Sequence, residues 1–421
     1  MEFVDKYIEF RNDALKLYSE MPDELNELYK RYYLPIKLPD YSAFKTQETA
    51  SEEEVRGLIR DIEKNTRIKF DLIFSDVYVN NINNDAIRIE KMEDAIEILN
   101  NKIFKSKDNK LAAFVNAHAK RLIHIKIKKG EKKNLNLLFV NNSNIIFQLI
   151  IDVEDGAELS VTELFVSTNK VESTVAQLQE FRVMQNSKLE VNFINNCNEK
   201  TSMLNLSKCQ VNANAKFTGN FVYNGSSFTK SINYFDAKEN KSNIDVTEMI
   251  YGTGTQKFDI NTYMVNMKEH TNTHLETGAV LDGSSNCVLK GYAKVDKWTK
   301  GAVSRVNERG ILISEKAHID ALPDMSIDYS EEVSATHSAA TAPIDKEALF
   351  YMMSRGISEQ KSRKMFISSF ILSYLSNIKS PFASELASSI LLGRIENDVF
   401  GLINDVSTLG VWLAEKSDVI V

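Results

Sequence analysis

Apolar residues recur at two different periods along this chain, and the switch between them divides it into three zones. In residues 2–21, Val4, Tyr7, Ile8, Leu15, Leu17 and Tyr18 return at roughly helical spacing among charged neighbours. Residues 86–106 repeat that texture and predict another helix. Pro35 and Pro39 punctuate a loop. A short strand is expected over 70–79, ending at the asparagine-rich turn NNINND. Residues 1–110 thus read as a helical N-terminal domain.

Over 111–343 the period falls to two. In 122–128, Ile123, Ile125 and Ile127 share one face, while His124, Lys126 and Lys128 take the other. Many short strands follow, separated by Asn, Ser, Gly and Asp. GAELSV (156–161), NSKLEV (186–191) and NAKFTG (214–219) form an approximate repeat. Each places a small residue after a turn residue, then a charge, then Leu or Phe. Leu159, Leu189 and Phe217 fall 30 and then 28 residues apart. NCVLKGYAKV (286–295) and KAHIDA (316–321) share the texture without that register. Stacked rungs of a β-helix fit this pattern, and a β-sandwich is the alternative that periodicity leaves open.

From residue 344 the period becomes helical again, so 344–421 reads as a helical C-terminal domain. Asp345 is the expected N-cap of KEALFYMMSRG, with Gly356 as its C′ stop. Ser358 should cap a second helix through 378. Pro381 precedes a third, and a final helix is expected to end the chain.

Composition narrows the function classes. There are 51 Lys+Arg against 58 Asp+Glu, a formal charge of −7, which argues against a general nucleic-acid partner. Three cysteines, Cys197, Cys209 and Cys287, contain no CxxC pair and make no disulfide framework, so a reducing cytoplasm is expected. The N-terminus has no long apolar run of a signal peptide, and the apolar stretch 365–375 is too short to span a bilayer, so no membrane is expected. No Walker A loop, GxGxxG, GxSxG or HExxH occurs; GTGTQ (252–256) reads as a turn. His270 and His274 have metal-like spacing only on a helix, which Thr271, Asn272 and Thr273 disfavour. Cys209 and Cys287 lie in strand-like settings typical of small buried hydrophobes, whereas Cys197, in NNCNEK, is expected in an exposed turn. Three cysteines cannot make a self-contained Cys₄ cluster site.

The run from about 270 to 370 resembles the core of the SufB/SufD family of iron–sulfur cluster assembly scaffolds. Three pieces carry the resemblance in register: RGILISEKAHIDALPDMSI, EEVSATHSAATAPID, and ALFYMMSRGIS followed by a helix containing SSF. The resemblance implies a right-handed parallel β-helix core flanked by helical N- and C-terminal domains. It implies a non-ATPase scaffold subunit, not itself an enzyme, that pairs with a SufB-like subunit or a second copy of itself. A SufC-like ABC ATPase would dock on the C-terminal helices, through Phe350, Tyr351, Arg355, Gly356, Ile357, Met365, Phe366 and Phe370. Adjacent on a helix, Phe350 and Tyr351 are expected to split, one packing inward and one serving the partner. Arg355 is expected to cap helix carbonyls or pair with an acidic group of the ATPase. Lys361, Ser362 and Ser369 depart from the family, where Glu, Ala and Gly are commoner.

SufB-type chains carry an essential Cys about a dozen residues before the His of an Ala-His pair. Here that pair is Ala317–His318, and the earlier region holds Val306 and Asn307. SufB-type chains also follow the later His with Glu, whereas Ser338 follows His337 here. The pattern is SufD-like, although Ala335 stands where some SufD chains have Cys. His337 is left as the candidate ligand for a transient iron–sulfur cluster shared with a partner subunit. Two rivals remain: a SufB-type homodimeric scaffold, and a β-helix carbohydrate-active enzyme using Asp320, Asp324 and Asp328.

Overall fold

In the computed structural model the described residues are 2–21, 51–66, 68–81, 84–168, 172–328 and 331–400. Two facing sheets make a parallel β-solenoid of about 8 turns. The first contains β5 (Lys132–Asn141), β7 (Glu158–Ser167), β9 (Lys188–Asn195), β11 (Lys216–Tyr223), β13 (Asn243–Gly252), β15 (Asn272–Leu281), β17 (Val303–Leu312) and β20 (Ser334–Pro343), side by side in that order. The second contains β4 (Arg121–Ile127), β6 (Ile145–Val153), β8 (Ser173–Val183), β10 (Thr201–Val211), β12 (Phe228–Ala237), β14 (Lys257–Asn266) and β16 (Asn286–Val295). Two short strands, β18 (His318–Ala321) and β19 (Asp324–Ile327), pair with successive halves of β16. The chain alternates between the sheets, so each rung is one strand of each. All these pairings are parallel, which removes the sandwich alternative.

The repeat read from the sequence is the rung itself. Leu159 pairs with Leu189 and Leu189 with Phe217. The later pieces fall out of register because residues 286–295 and 318–321 belong to the second sheet, where Cys287 faces Ile319. Alternate residues from both sheets fill the interior, including a run of phenylalanines in which the Phe139 and Phe165 rings stack 4.5 Å apart. Each fully buried side chain of this size contributes about 1.5–3 kcal/mol.

Both outer faces are also covered. On the first sheet lie α2 (Glu52–Thr66), α6 (Glu359–Leu375) and α7 (Pro381–Phe400), packing on Leu138, Leu164, Ile194, Met249 and Val280. Tyr374 of α6 lies over Gly278, where any Cβ would come within 2.7 Å of its ring. Arg394 of α7 donates to the Asn224 carbonyl and to Thr253 Oγ1 and Gln256 Oε1 at 2.7 and 2.9 Å. On the second sheet, α1 (Glu2–Glu20) and α4 (Lys110–His118) join Leu122, Ile150, Leu178 and Leu206.

The N-terminal zone is less helical than its pattern suggests. Residues 87–91 form strand β3 (Ile87–Lys91), antiparallel to β4 with Ile87 against Ile125 and Ile89 against Ile123. Within 86–105 only Ile96–Asn100, α3, is helical. The alternation Ile87/Ile89 finds apolar partners on β4, and that pairing overrides helical propensity. The strand expected over 70–79 is a hairpin, β1 (Leu72–Phe74) with β2 (Val79–Asn81), and β1 runs parallel to β5. The hairpin and β3 thus form the starting end of the solenoid.

The C-terminal caps follow the sequence closely. Asp345 accepts from the N–H groups of Glu347 and Ala348 to start α5 (Lys346–Ser354), Gly356 follows in the left-handed region at φ 84°, and Ser358 caps α6. The third helix begins at Pro381 itself, as the first helical residue, where a missing N–H costs nothing. The final helix, Pro35 and Pro39 lie outside the described residues.

Candidate functional site

The far end of the solenoid is built differently from its start. Among the described residues, β20 is the outermost strand of the first sheet and nothing pairs with its outer edge. Its sequence, SATHSAATAP, contains no charged residue and no side chain larger than one imidazole. All its residues are exposed except Ala335, which is half-buried. A ten-residue uncharged edge, with Pro only at its last position, is an unguarded template for another strand. His337 sits near its middle. It pairs with Val306, which points into the interior, so the imidazole occupies the inward column of the last rung. Ser338 points the other way and donates to Asn307 Oδ1 at 2.9 Å.

The mouth around His337 can be drawn from the glycines. A Cβ on Gly310 of β17 would meet Ile319 at 2.6 Å and Thr341 at 3.3 Å, so β18 and β20 converge above it. A Cβ on Gly291 of β16 would meet Val306 at 2.5 Å and Glu308 at 2.9 Å, so both face inward beneath the mouth. Glu308 is 1% exposed. Its Oε1 accepts the Gly291 N–H at 2.6 Å, while its buried Oε2 has no hydrogen-bond partner. Burial pushes its carboxyl up to about 8, with help from Glu248 and against the pull of the Gly291 and Leu322 N–H groups.

The thiols are sealed in the interior, although Cys287 lies near enough to Glu308 to feel its charge. All three cysteines are buried, Cys197 included at 4% exposure, contrary to its expected exposed turn. The next rung covers it: Ser226 N–H donates to the Cys197 carbonyl at 2.8 Å, and Gly225 packs on its backbone. Burial raises the Cys197 thiol to about 12 and the other two well above the usual range, so none is poised as a thiolate ligand. His270 is a corner residue at φ 57° and His274 lies in β15, so the two do not form a helical metal pair. Among the described residues no group of three or more His, Cys, Asp or Glu could hold a metal ion.

A second surface lies on α5 and α6. Phe350 is 72% and Tyr351 59% exposed, with Met353 and Met365 also exposed. The expected split between Phe350 and Tyr351 does not occur, because Leu349 is the α5 residue that packs inward. Arg355 caps no carbonyl with its side chain. Its Nη2 donates to Tyr351 Oη at 2.9 Å and its guanidinium lies 5.1 Å from that ring. Ile357 is half-buried in the turn after Gly356. Phe366 and Phe370 turn toward the outer face of the first sheet and anchor α6. Ser362 is fully buried, where only a small side chain fits.

Residues 139–370 match the family model described as SUF system FeS cluster assembly, SufBD core domain. The chain belongs to the SufBD family. It is similar to the iron–sulfur cluster assembly protein SufD of Bacillus subtilis (strain 168), 26% identical over 140 residues, 32% of each chain. It is also similar to an iron–sulfur cluster assembly SufBD family protein of Staphylococcus aureus (strain USA300), 23% identical over 128 residues, 30% of this chain and 27% of that one. The matched stretches span about a third of the length of these relatives.

The matched core of this SufBD chain holds both surfaces, β20 with His337 and α5–α6. Two features escaped the sequence reading. Glu308 sits in a strand where alternation marks it as inward-facing, but nothing in its neighbours signals an unpartnered oxygen. The other is a cleft of about 500 Å³ among α1, the β1–β2 hairpin and β4, lined by Arg11, His118 and Arg121. Burial and Arg11 press His118 down to about 4, so it is neutral. No helix among the described residues is long and apolar enough to cross a membrane.

Proposed function

We propose that this SufBD chain is a SufD-like scaffold subunit of the SUF machinery, working in the cytoplasm without catalytic activity of its own. It pairs edge-to-edge through β20 with a SufB-like subunit, or with a second copy of itself, and recruits a SufC-like ABC ATPase through α5 and α6. The observation that carries this reading is the asymmetry of the solenoid. Among the described residues one end finishes in the short strands β2 and β3, the latter carrying Arg88, Glu90 and Lys91, while the other is a ten-residue uncharged edge with one imidazole near its centre. Terminal rungs that are not meant to associate are ordinarily capped.

A neutral imidazole binds iron through one ring nitrogen while the other is oriented by a neighbour. A scaffold must hold its cluster and then release it, and one His beside a partner's thiolates suits that exchange. The cluster is cargo, shared across the interface. The buried thiols of this chain weigh against a SufB-type homodimer that holds a cluster alone. The chain should be co-expressed with its SufB-like and SufC-like partners, and cluster content after anaerobic reconstitution read by absorption and by iron and sulfide analysis. Wild type should form a complex that loads cluster, and His337→Ala should keep the complex and lose most of the cluster. A mutant that loads normally would make His337 structural, and a wild-type chain that binds neither partner would sink the assignment.

A further inference from the structure

We propose that Glu308 is a second donor of this chain to incoming iron: its unpartnered carboxylate oxygen and the His337 imidazole together receive a ferrous ion at the open end of the solenoid. The proposal builds on the reading of His337 above and adds a residue to it.

Register places the two side chains together. Val306 pairs with His337 and Glu308 with Ala339 on adjacent parallel strands. Residues 306, 308, 337 and 339 therefore face the same way, inward. Glu308 and His337 are diagonal neighbours, with Cα atoms about 8 Å apart by strand geometry, within joint reach of a carboxylate and an imidazole on one ion. The side chain directly above Glu308 is only the methyl group of Ala339.

The carboxylate is held in place for a reason visible in the chain. The second sheet is interrupted between β18 and β19 at Leu322 and Pro323. Leu322 N–H still donates to the Leu289 carbonyl at 2.9 Å. The Gly291 N–H, two residues on and on the same side of the strand, faces the gap and receives Glu308 Oε1 instead. Gly291 is required there, since a Cβ would strike Glu308 and Val306. Below Glu308 in the same column is Thr277, whose hydroxyl donates to Glu248 Oε2 at 2.8 Å and is spent. Oε2 of Glu308 is thus buried with no hydrogen bond of normal geometry, and the Leu322 N–H, already given to Leu289, is the one further backbone donor that acts on the carboxyl. Capping Gly291 explains one oxygen and leaves the other unexplained. An oxygen and an imidazole nitrogen suit ferrous iron better than a soft thiolate-seeking ion. With two donors here, the remaining positions fall to water and to the partner.

The test is anaerobic titration of the purified full-length chain with Fe²⁺ by equilibrium dialysis, and with Co²⁺ as the optical probe. Wild type should bind one ion per chain. Glu308→Gln keeps an oxygen for Gly291 but cannot give up a proton to become a carboxylate on the metal, and should weaken binding roughly tenfold or more and shift the Co²⁺ visible bands. His337→Ala should do the same, and the double variant should be little worse than either. Unfolding curves check that each variant folds; if Glu308→Gln does not, Glu308→Asp, which keeps the charge on a shorter arm, is titrated and should weaken binding likewise. A Glu308 variant that binds like wild type while His337→Ala does not would overturn the proposal and leave the His337 reading standing. If His337→Ala also binds like wild type, that reading falls too, and a wild-type chain that binds neither ion overturns the proposal outright.

Discussion

A residue with positive φ stands two positions before each strand of the first sheet from β5 onward: Gly130, Gly156, Asn186, Asn214, Lys241, His270, Gly301 and Glu332. These are the corners of the solenoid. Glycine and asparagine reach the left-handed region at little cost, which is why the rungs at 156, 186 and 214 were legible as a repeat. Lys241, His270 and Glu332 occupy the same corner with no such preference, so the repeat fades from the sequence just where the fold continues unchanged. Stacking on the previous corner imposes their φ. Lys241→Gly should therefore raise stability by roughly 0.5–1 kcal/mol, net of the glycine's own entropy, seen as a higher urea midpoint. An unchanged or lower midpoint would mean that the corner is not strained. The same corner geometry accounts for the place of His270 in its turn.

At the scale of elements, burial on two faces hides strands that alternation would otherwise reveal. In β6 every residue but Asp152 is buried, because one face meets the interior and the other meets α4. The reverse error occurred at 87–91, where helical texture concealed a pair of isoleucines waiting for β4. The C-terminal helices were readable because their caps are local: Asp345, Gly356 and Ser358 act on the few residues beside them. Which face of α5 turns outward was not readable, since that depends on where α5 meets the solenoid. The outcome is a set of exposed apolar side chains, Phe350, Tyr351, Met353 and Met365, with Arg355 tethered to Tyr351. Exposed aromatics with a tethered Arg are the composition of an interface hot spot. Phe350→Ser combined with Tyr351→Ser should change unfolding stability by less than about 0.5 kcal/mol. It should weaken binding to the cognate SufC-like ATPase by about 2 kcal/mol or more, roughly 30-fold, by calorimetry. Undiminished affinity would move the ATPase to another surface.

At the scale of the molecule, the solenoid is a rod with unlike ends. The start finishes in the short strands β2 and β3, and the far end exposes the long uncharged β20 with His337 in the inward column and Glu308 beneath it. The sequence told the rod's repeat and its SufBD kinship, and it singled out His337. It could not tell that the imidazole stands at the last rung, because a stack ends where no further strand pairs, and pairing is a relation in space between distant parts of the chain. The central claim is that this imidazole binds the cluster from its place at the open end. It is tested most directly by labelling the histidines of this chain alone with ¹⁵N, reconstituting the cluster in the complex with its partners, reducing it, and recording pulsed EPR. A ¹⁵N hyperfine coupling from wild type that vanishes in His337→Ala is the predicted result. A cluster without that coupling, or one that keeps it in the mutant, would contradict the claim.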